Sequence, residues 1–240
     1  MKKIFIVGLW LAIWLTATPR TLKAAQSNPS ALQLISKTTH IDMSVPTLQS
    51  KNEHNPSFNQ VVNNFLESTF MRYKQDAPTE AQNALIYKSV LQGKKEVSSD
   101  FVINHQVYYH TVSKISILFN ISYMYPGYAH PKNDIYSLTF DLDHNRVMNL
   151  SDLFEKNSPY LAKLAEYCSR NLTLRDKSKN KKGIFSIPGG AAPTPENYSA
   201  WNLSLEGLVI TFPQSQVAAR PFGAVKVVVP YQQLGIERPL

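Results

Sequence analysis

The sequence predicts an α+β fold in which an antiparallel β-sheet meander carries helices packed on one face. Two hydrophobic periods predict it. Apolar residues three or four positions apart, the spacing of an amphipathic helix, occur on either side of a central region. In that central region, residues 101–142, apolar and polar residues alternate, as is typical of strands with one buried face. Helices then supply the layer that covers this face.

The first 25 residues are predicted to be a secretory signal peptide. Lys2 and Lys3 precede an uncharged apolar run at residues 4–17, and small residues follow at Ala24 and Ala25, near which cleavage is expected. The run is shorter than the roughly 20 residues that a bilayer span needs, so an uncleaved anchor is the weaker alternative. We therefore expect a periplasmic or secreted bacterial protein with no stable membrane anchor.

Charge and cysteine content narrow the class of protein. Four of the 25 basic residues lie in the predicted signal peptide, so 21 remain against 17 acidic residues, and the net charge falls from +8 to +4. Much of this excess lies in residues 175–182, which indicates a local patch rather than a nucleic-acid surface. Cys168 is the single cysteine, so neither an intramolecular disulfide nor a cysteine-based zinc site is expected.

The elements before the meander begin after a polar linker at residues 26–40. Ile41, Met43 and Val45 alternate and predict a short strand that ends at Pro46. Asn55 suits an N-cap and Pro56 the first position of a helix that extends to Tyr73. The apolar stripe of this helix comprises Phe58, Val61, Val62, Phe65, Leu66, Thr69, Phe70 and Tyr73. A shorter helix is expected at residues 79–91.

Three strands follow, and each has one apolar face. The first face comprises Phe101, Ile103, His105, Val107 and Tyr109; the second Ile115, Ile117, Phe119, Ile121, Tyr123 and Tyr125; the third Tyr136, Leu138, Phe140 and Leu142. Lys114, Ser116, Asn120 and Ser122 are expected on the opposite face of the second strand. The alternation predicts an antiparallel meander.

The second half is predicted to contain another helix and another hairpin. Ser158 and Pro159 begin a helix with an apolar stripe of Leu161, Leu164, Ala165, Cys168 and Leu172. Residues 177–195 are expected to form a long, mobile loop, because they combine a basic run with a Gly- and Pro-rich segment. A hairpin that turns at Glu206 and Gly207 and a final strand within residues 223–234 complete the chain. We divide it into an N-terminal region, 41–112, and a C-terminal domain, 113–240, packed as one unit.

One polar turn is a weak candidate for a calcium site. Asp141, Asp143, Asn145, Asn149 and Asp152 occupy positions 1, 3, 5, 9 and 12 of a calcium-loop template. Arg146 stands where that template needs glycine, and Asp152 is shorter than the usual glutamate. The alternative is a polar turn that leads into a helix capped by Ser151 or Asp152. We expect neither a metal nor a cofactor.

Catalytic candidates are few. Cys168 lies on an apolar helical stripe, where a thiol is usually inert. No nucleophile-elbow, zinc-protease or phosphate-loop motif occurs in the sequence. His110 and His130 could approach each other across the meander, with Asp134 or Asp141 as the carboxylate. This set defines the alternative hypothesis of a hydrolase that acts on the cell envelope.

A tyrosine-rich loop is the candidate binding surface. Tyr108, Tyr109, Tyr123, Tyr125, Tyr128 and Tyr136 lie within 29 residues. Tyrosine is common at recognition surfaces, because its ring supplies contact area and its hydroxyl supplies a hydrogen bond. Several of these side chains are expected to cover the sheet instead. The predicted binding residues are Tyr125, Gly127, Tyr128 and His130, with Tyr128 at the loop tip; His130 is expected to hold the hairpin.

Several motifs resemble a known family in their order. They are Gly127-Tyr128-Ala129-His130, Phe140-Asp141-Leu142, the segment LSDLF at 150–154, and two later segments at 207–223 and 227–234. Together they resemble the RsiV-like extracytoplasmic domain family, which also occurs as the N-terminal region of the deacetylase PdaC. The resemblance covers roughly residues 100–235, and Tyr128 stands where glycine is common in the family.

The resemblance implies a fold and a class of partner. It implies an α+β domain outside the cytoplasm, and the RsiV member of the family is a receptor that binds lysozyme. No sigma-binding segment or deacetylase domain is recognised here, so neither activity is carried over. The leading hypothesis is therefore a non-catalytic domain that recognises a cell-envelope or extracellular ligand, either a protein such as lysozyme or a glycan such as peptidoglycan.

Overall fold

The computed structural model describes residues 36–43, 46, 56–77, 96–125, 128, 130–178 and 186–238. The predicted signal peptide, the predicted helix at 79–91 and the loop residues Pro126, Gly127 and Ala129 lie outside these residues. Among the described residues, no helix is both long and apolar enough to cross a membrane.

The first sheet has five strands in the order β1-β2-β3-β4-β5. They are β1 (Ser36–Met43), β2 (Glu96–His110), β3 (Lys114–Met124), β4 (Lys132–Asp141) and β5 (Arg146–Val147). The predicted meander β2-β3-β4 is confirmed as antiparallel. β1, however, pairs with β2 in parallel, so the sheet is mixed. A parallel pair needs a long crossover connection, and helix α1 (Pro56–Asp76) lies within that connection.

The boundary of the predicted linker is wrong. β1 begins at Ser36, so residues 36–40 of the expected linker 26–40 are strand, and their partners are residues 96–100. Both segments are polar, and the sequence therefore lacks the alternation that signals a half-buried strand. Pairing with the edge of the meander supplies the backbone hydrogen bonds that the local pattern does not predict.

The first core lies between α1 and one face of the first sheet. The predicted stripe of α1 is confirmed: Phe58, Val62, Leu66 and Tyr73 are buried. They pack on the sheet residues Phe101, Ile103, Ile115, Ile117, Phe119, Ile121, Leu138 and Phe140. α1 thus covers the apolar face of the meander.

A bulge in β2 changes the face that its last residues present. The register of β2 on β3 shifts between Val107 and Tyr109, so Tyr109 pairs with Ser116 rather than continuing the apolar face. Val107 is exposed and Tyr109 packs in a second core. The expectation that Tyr109 shares the face of Phe101 is therefore wrong, because an extra residue in one strand reverses the alternation that follows. Val107 precedes the bulge and pairs with Ile117 in the register of the Phe101 face.

The second sheet has three antiparallel strands in the order β6-β7-β8. They are β6 (Trp201–Leu203), β7 (Leu208–Phe212) and β8 (Val225–Val229), so the predicted hairpin and final strand are confirmed. Helix α2 (Tyr160–Ser178) covers one face through Leu164, Ala165, Cys168 and Leu172, as its stripe predicts. Each sheet therefore carries a long helix on one face, and the fold class is α+β.

A buried polar cluster joins the two sheets. The Ser116 hydroxyl accepts hydrogen bonds from the Asn202 side-chain amide (3.0 Å) and the Leu203 backbone N–H (3.1 Å). It lies 2.7 Å from the Thr139 hydroxyl, to which it donates because both of its lone pairs are used. Ser116 was expected on an open face of β3; the second sheet covers that face instead, and Leu118 is fully buried there too.

The segment that follows α2 is more ordered than predicted. α2 extends to Ser178, and residues 187–190 form a short helix, α3 (Ile187–Gly190). The Ser186 N–H donates to the carbonyl of Val217, and the Gln216 side chain donates to the carbonyl of Gly190. The expectation of one long, mobile loop at 177–195 is thus wrong for its last ten residues; residues 179–185 lie outside the described part. A last helix, α4 (Tyr231–Leu234), ends the fold.

Candidate functional site

The structure separates the predicted loop residues into a buried and an exposed set. Tyr125 is 1% exposed, so its predicted role as a ligand-contacting residue is wrong. Its ring stacks on Tyr73, with centroids 5.1 Å apart, and its hydroxyl donates to the carbonyl of Tyr73 at 2.7 Å. Tyr128 and His130 are exposed, and Gly127 lies outside the described residues. Their role in ligand binding remains a prediction.

His130 does not form the predicted pair with Asp141. Asp141 is the last residue of β4 and His130 precedes its first residue, so the strand separates them by roughly 30 Å. Asp141 instead lies 2.9 Å from the Nδ1 atom of His144. Asp134 accepts a hydrogen bond of 3.4 Å from the Tyr123 hydroxyl, and no ion pair joins Asp134 to His130 in the described part of the chain. The role of His130 in holding the hairpin stays a prediction.

The weak calcium candidate is a set of local turn contacts. One oxygen of Asp141 accepts the backbone N–H groups of Asp143 and His144. Asp152 pairs with Arg146 at 2.6 Å and accepts the N–H of Asn149. Burial alone would raise the pKa of Asp141, but the hydrogen bonds from His144 outweigh it and hold that pKa below its usual range. Among the described residues, no three His, Cys, Asp or Glu side chains converge as metal ligands.

Cys168 is buried in the second core, and the residue is fully covered by its neighbours. Burial raises the pKa of its thiol to about 12, despite the opposing charge of Arg175. The thiolate is the nucleophilic form, so this environment agrees with the expectation of an inert side chain.

A cleft of about 340 Å³ lies between the C-terminal half of α1 and the neighbouring strands of the first sheet. We call it the aromatic cleft. Its lining residues are Phe65, Thr69, Arg72, Tyr73 and Asp76 of α1; Phe101 of β2; Ile121 and Tyr123 of β3; Asp134, Ile135 and Tyr136 of β4; and Pro213 after β7. Five of these twelve residues are aromatic and three are charged, so flat rings and polar groups both line the cleft.

Helical and strand periods together build this cleft. Thr69, Arg72, Tyr73 and Asp76 lie at intervals of three or four residues, so they share one face of α1. Asp134 and Tyr136 are two residues apart and share one face of β4. The Phe65 ring stacks on Tyr136, with centroids 4.1 Å apart and an angle of 14° between the rings. This contact joins the helix to the strand at one end of the cleft.

A series of ring contacts links the cleft to the tyrosine loop. Tyr128 lies edge-on to Tyr125 at 5.4 Å, and Tyr125 stacks on Tyr73, which lines the cleft. Lys132 places its ammonium 5.9 Å from the ring centres of both Tyr123 and Tyr128. The exposed ring of Tyr128 is therefore continuous with the cleft through buried aromatic side chains.

Charged groups lie at the rim of the cleft and apolar groups lie at its floor. Arg72, Asp76 and Asp134 are exposed, whereas Tyr73, Phe101 and Ile121 are buried. In the described part of the chain, Arg72 forms no ion pair with either carboxylate. Burial, and then the neighbouring Asp134, raises the pKa of the Tyr123 hydroxyl, and burial raises that of Tyr136. Both phenols are therefore neutral hydrogen-bonding groups at physiological pH.

The C-terminal part of the chain is similar to a known protein family. Residues 151–232 match the family model described as a protein of unknown function, DUF3298. This segment of the chain is thus similar to that family. It comprises α2 and the second sheet, and most of the aromatic cleft lies in the region that precedes it.

A second similarity covers more of the chain than residues 151–232. The peptidoglycan-N-acetylmuramic acid deacetylase PdaC of Bacillus subtilis (strain 168) is 22% identical over 187 residues. The match covers 72% of this chain and 37% of PdaC, so the chain corresponds to just over a third of that protein. The predicted resemblance to the RsiV-like and PdaC-associated domain is thus confirmed.

Two solved structures show the same fold. A DUF3298 family protein from Pseudomonas aeruginosa PAO1 aligns with a TM-score of 0.53 at 14% identity, over 86% of this chain and 87% of its own. A DUF3298 family member from Bacteroides fragilis NCTC 9343 aligns with a TM-score of 0.51 at 20% identity, over 73% and 67% of the two chains. At these identities the likeness concerns the fold alone.

Proposed function

We propose that this chain is a non-catalytic extracytoplasmic domain that recognises a glycan of the cell envelope through the aromatic cleft. The observation that carries the proposal is the composition of the cleft, in which aromatic rings form the walls and charged hydrogen-bonding groups form the rim. Binding sites of about 300–1,000 Å³ with apolar walls and a few placed polar groups are typical of small-ligand recognition.

This arrangement complements the chemistry of a sugar. The C–H faces of a sugar ring are apolar and pack on flat aromatic surfaces, such as those of Phe65 and Tyr136. Sugar hydroxyls both donate and accept hydrogen bonds. The Asp76 and Asp134 carboxylates accept, and the Arg72 guanidinium donates. Hydrogen bonds to charged groups are about twice as strong as those between neutral groups.

Two further observations support this choice. The relative PdaC is named as an enzyme that acts on peptidoglycan, an envelope glycan, and its match covers 72% of this chain. The His–carboxylate pair of Asp141 and His144 lies in a tight turn outside the cleft, with His144 largely exposed. A hydrolytic site requires such a pair to face a concave surface, and this favours binding over catalysis.

The proposal is tested by sedimentation with insoluble peptidoglycan. We expect the protein to sediment with peptidoglycan, and Tyr136→Ala to weaken binding about tenfold or more, since loss of a stacking ring removes roughly 1–3 kcal/mol. Phe222→Ala is the matched control, because Phe222 is also a partly exposed aromatic residue (41% against 37%) but lies outside the cleft.

Two results would contradict the proposal. The first is equal binding by Tyr136→Ala and the unmodified protein. The second is retention of lysozyme on the immobilised protein, unaffected by Tyr136→Ala, together with no retention of peptidoglycan; that outcome would assign a protein ligand. Release of soluble sugar from peptidoglycan by the protein would show that the domain is catalytic.

A further inference from the structure

The floor of the aromatic cleft holds one polar side chain among apolar neighbours. Thr69 is 8% exposed and lines the cleft together with Tyr73, Phe101 and Ile121, which are buried as well. Its hydroxyl oxygen is out of contact with solvent and has no hydrogen-bond partner among the residues that the structure describes. An unpaired buried hydroxyl costs about 1–3 kcal/mol, so its presence at this position lowers the stability of the empty cleft.

The geometry of α1 does not require a threonine at this position. The neighbouring Ser68, which faces solvent, donates to the carbonyl of Phe65 at 2.9 Å, while Thr69 forms no such bond. Helical threonine divides between two χ1 rotamers, in which Oγ1 occupies different staggered positions around the Cα–Cβ bond. A rotation about χ1 therefore turns the hydroxyl toward a group that enters the cleft, without any movement of the backbone.

The floor and the rim select for different parts of a ligand. A charged group at the floor would lose its hydration among Tyr73, Phe101 and Ile121 without gaining an opposite charge. An acetamido group is small and uncharged: its methyl packs on apolar walls, and a hydroxyl can donate to its carbonyl. The hydroxyls of the same sugar then reach Arg72, Asp76 and Asp134 at the rim.

We propose that the floor of the aromatic cleft receives the acetamido group of an N-acetylated amino sugar, and that the Thr69 hydroxyl is the residue that recognises it. The inference rests on the proposed glycan recognition and specifies which sugar units the cleft accepts. The Asp76 and Asp134 carboxylates at the rim would attract the cationic free amine. A preference for the uncharged acetylated sugar would therefore have to come from the floor of the cleft and not from the charge of the rim.

The test compares two oligosaccharides of equal length by isothermal titration calorimetry with the full chain. One is a tetramer of N-acetylglucosamine and the other a tetramer of glucosamine, so they differ only in the acetyl groups. We expect the acetylated tetramer to bind about tenfold more tightly or better, the discrimination typical of a placed hydrogen bond in an apolar pocket.

Three variants separate recognition from folding. Thr69→Val keeps the shape and removes the hydroxyl; we expect it to weaken binding of the acetylated tetramer about fivefold to tenfold, while the melting temperature stays equal or rises, because an unpaired buried hydroxyl has been removed. Thr69→Ser keeps a hydroxyl and should retain the preference. Ser68→Ala, on the exposed side of the same turn, should change neither quantity.

The possible results test the acetamido assignment, the role of Thr69 and the proposed function separately. Equal affinity for the two tetramers would overturn the acetamido assignment, whereas the proposed function would stand if peptidoglycan still bound. Unchanged affinity in Thr69→Val, with the acetyl preference intact, would overturn the role of Thr69. Failure to bind both tetramers and peptidoglycan would overturn the proposed function itself.

Discussion

Tyr125 shows how one buried side chain fixes the loop beside the aromatic cleft. Its ring stacks on Tyr73, and its hydroxyl donates to the Tyr73 carbonyl. Tyr73 lies in the last turn of α1, where helical carbonyls have no partner within the helix. The hydroxyl therefore satisfies an acceptor at the helix end and joins the end of β3 to α1. Burial raises the pKa of this phenol, which keeps it protonated as a donor.

Tyr125→Phe is expected to lower the free energy of unfolding by about 1–2 kcal/mol, because it removes the donor of a buried hydrogen bond. The measurement is urea denaturation at neutral pH. Tyr128→Phe is the control: Tyr128 follows closely in the chain but is 37% exposed, so its change should stay within about 0.5 kcal/mol. A Tyr125→Phe variant as stable as the unmodified protein would show that the bond contributes nothing.

At the scale of elements, the sequence predicts those that have a hydrophobic period. The stripes of α1 and α2 and the alternation of β3 and β4 name residues that the structure buries, such as Phe58, Leu164 and Phe140. These patterns are sufficient because each of these elements packs an apolar face against a layer of the core.

Three features have no such pattern. The residues of β1 at 36–40 are mostly polar and acquire their structure from pairing with β2. The bulge at Val107 changes the face of Tyr109 without any glycine or proline to mark it. The aromatic cleft combines residues from α1, three strands and Pro213, which are far apart in sequence. The sequence predicts the apolar stripe of each element, but it does not predict that these residues lie around one cleft.

The Gly- and Pro-rich segment at 186–195 was predicted as a loop because glycine usually marks flexible turns. One of its two adjacent glycines has a different reason. A Cβ atom on Gly190 would collide with the backbone carbonyl of Gln216, whereas a Cβ on Gly189 would meet open space. Gly190 therefore permits close packing of α3 on the chain around Gln216, and the Gln216 side chain donates to its carbonyl.

The two glycines give a matched pair of variants. Gly190→Ala is expected to lower the free energy of unfolding by about 2–3 kcal/mol, because the clash is with backbone that must move. Gly189→Ala should be neutral or stabilise by up to about 1 kcal/mol, since alanine reduces the freedom of the unfolded chain. Thermal denaturation of both variants distinguishes the effects. Equal melting temperatures for the pair would contradict the packing argument.

At the scale of the molecule, the two sheets depend on one another for burial. α1 covers the outer face of the first sheet and α2 covers the outer face of the second, while β6 contacts the inner face of the first sheet through Asn202 and Leu203. The contact is polar at Ser116 and apolar at Leu118. Because Asn202 and Leu203 of β6 bond to Ser116 of the first sheet, separation of the sheets would break these buried hydrogen bonds.

Ser116→Ala is therefore expected to lower the stability of the whole molecule by about 2–4 kcal/mol, since it leaves the Asn202 amide and the Leu203 N–H without their acceptor in a buried position. A probe in the first core and a probe in the second core should report the same loss of unfolding free energy. Trp201 is buried in the second core, so its fluorescence reports the second sheet, while hydrogen exchange of the α1 amides reports the first.

Ser122→Ala is the control for this substitution, because Ser122 lies on the same face of β3 beyond the polar cluster and is partly exposed; its effect should stay within about 0.5 kcal/mol. If Ser116→Ala destabilised the second sheet and left the exchange of α1 unchanged, the two sheets would unfold independently. An equal loss at both probes means that the first sheet, and with it the aromatic cleft, depends for its stability on the second sheet, because a single cooperative transition then includes both cores.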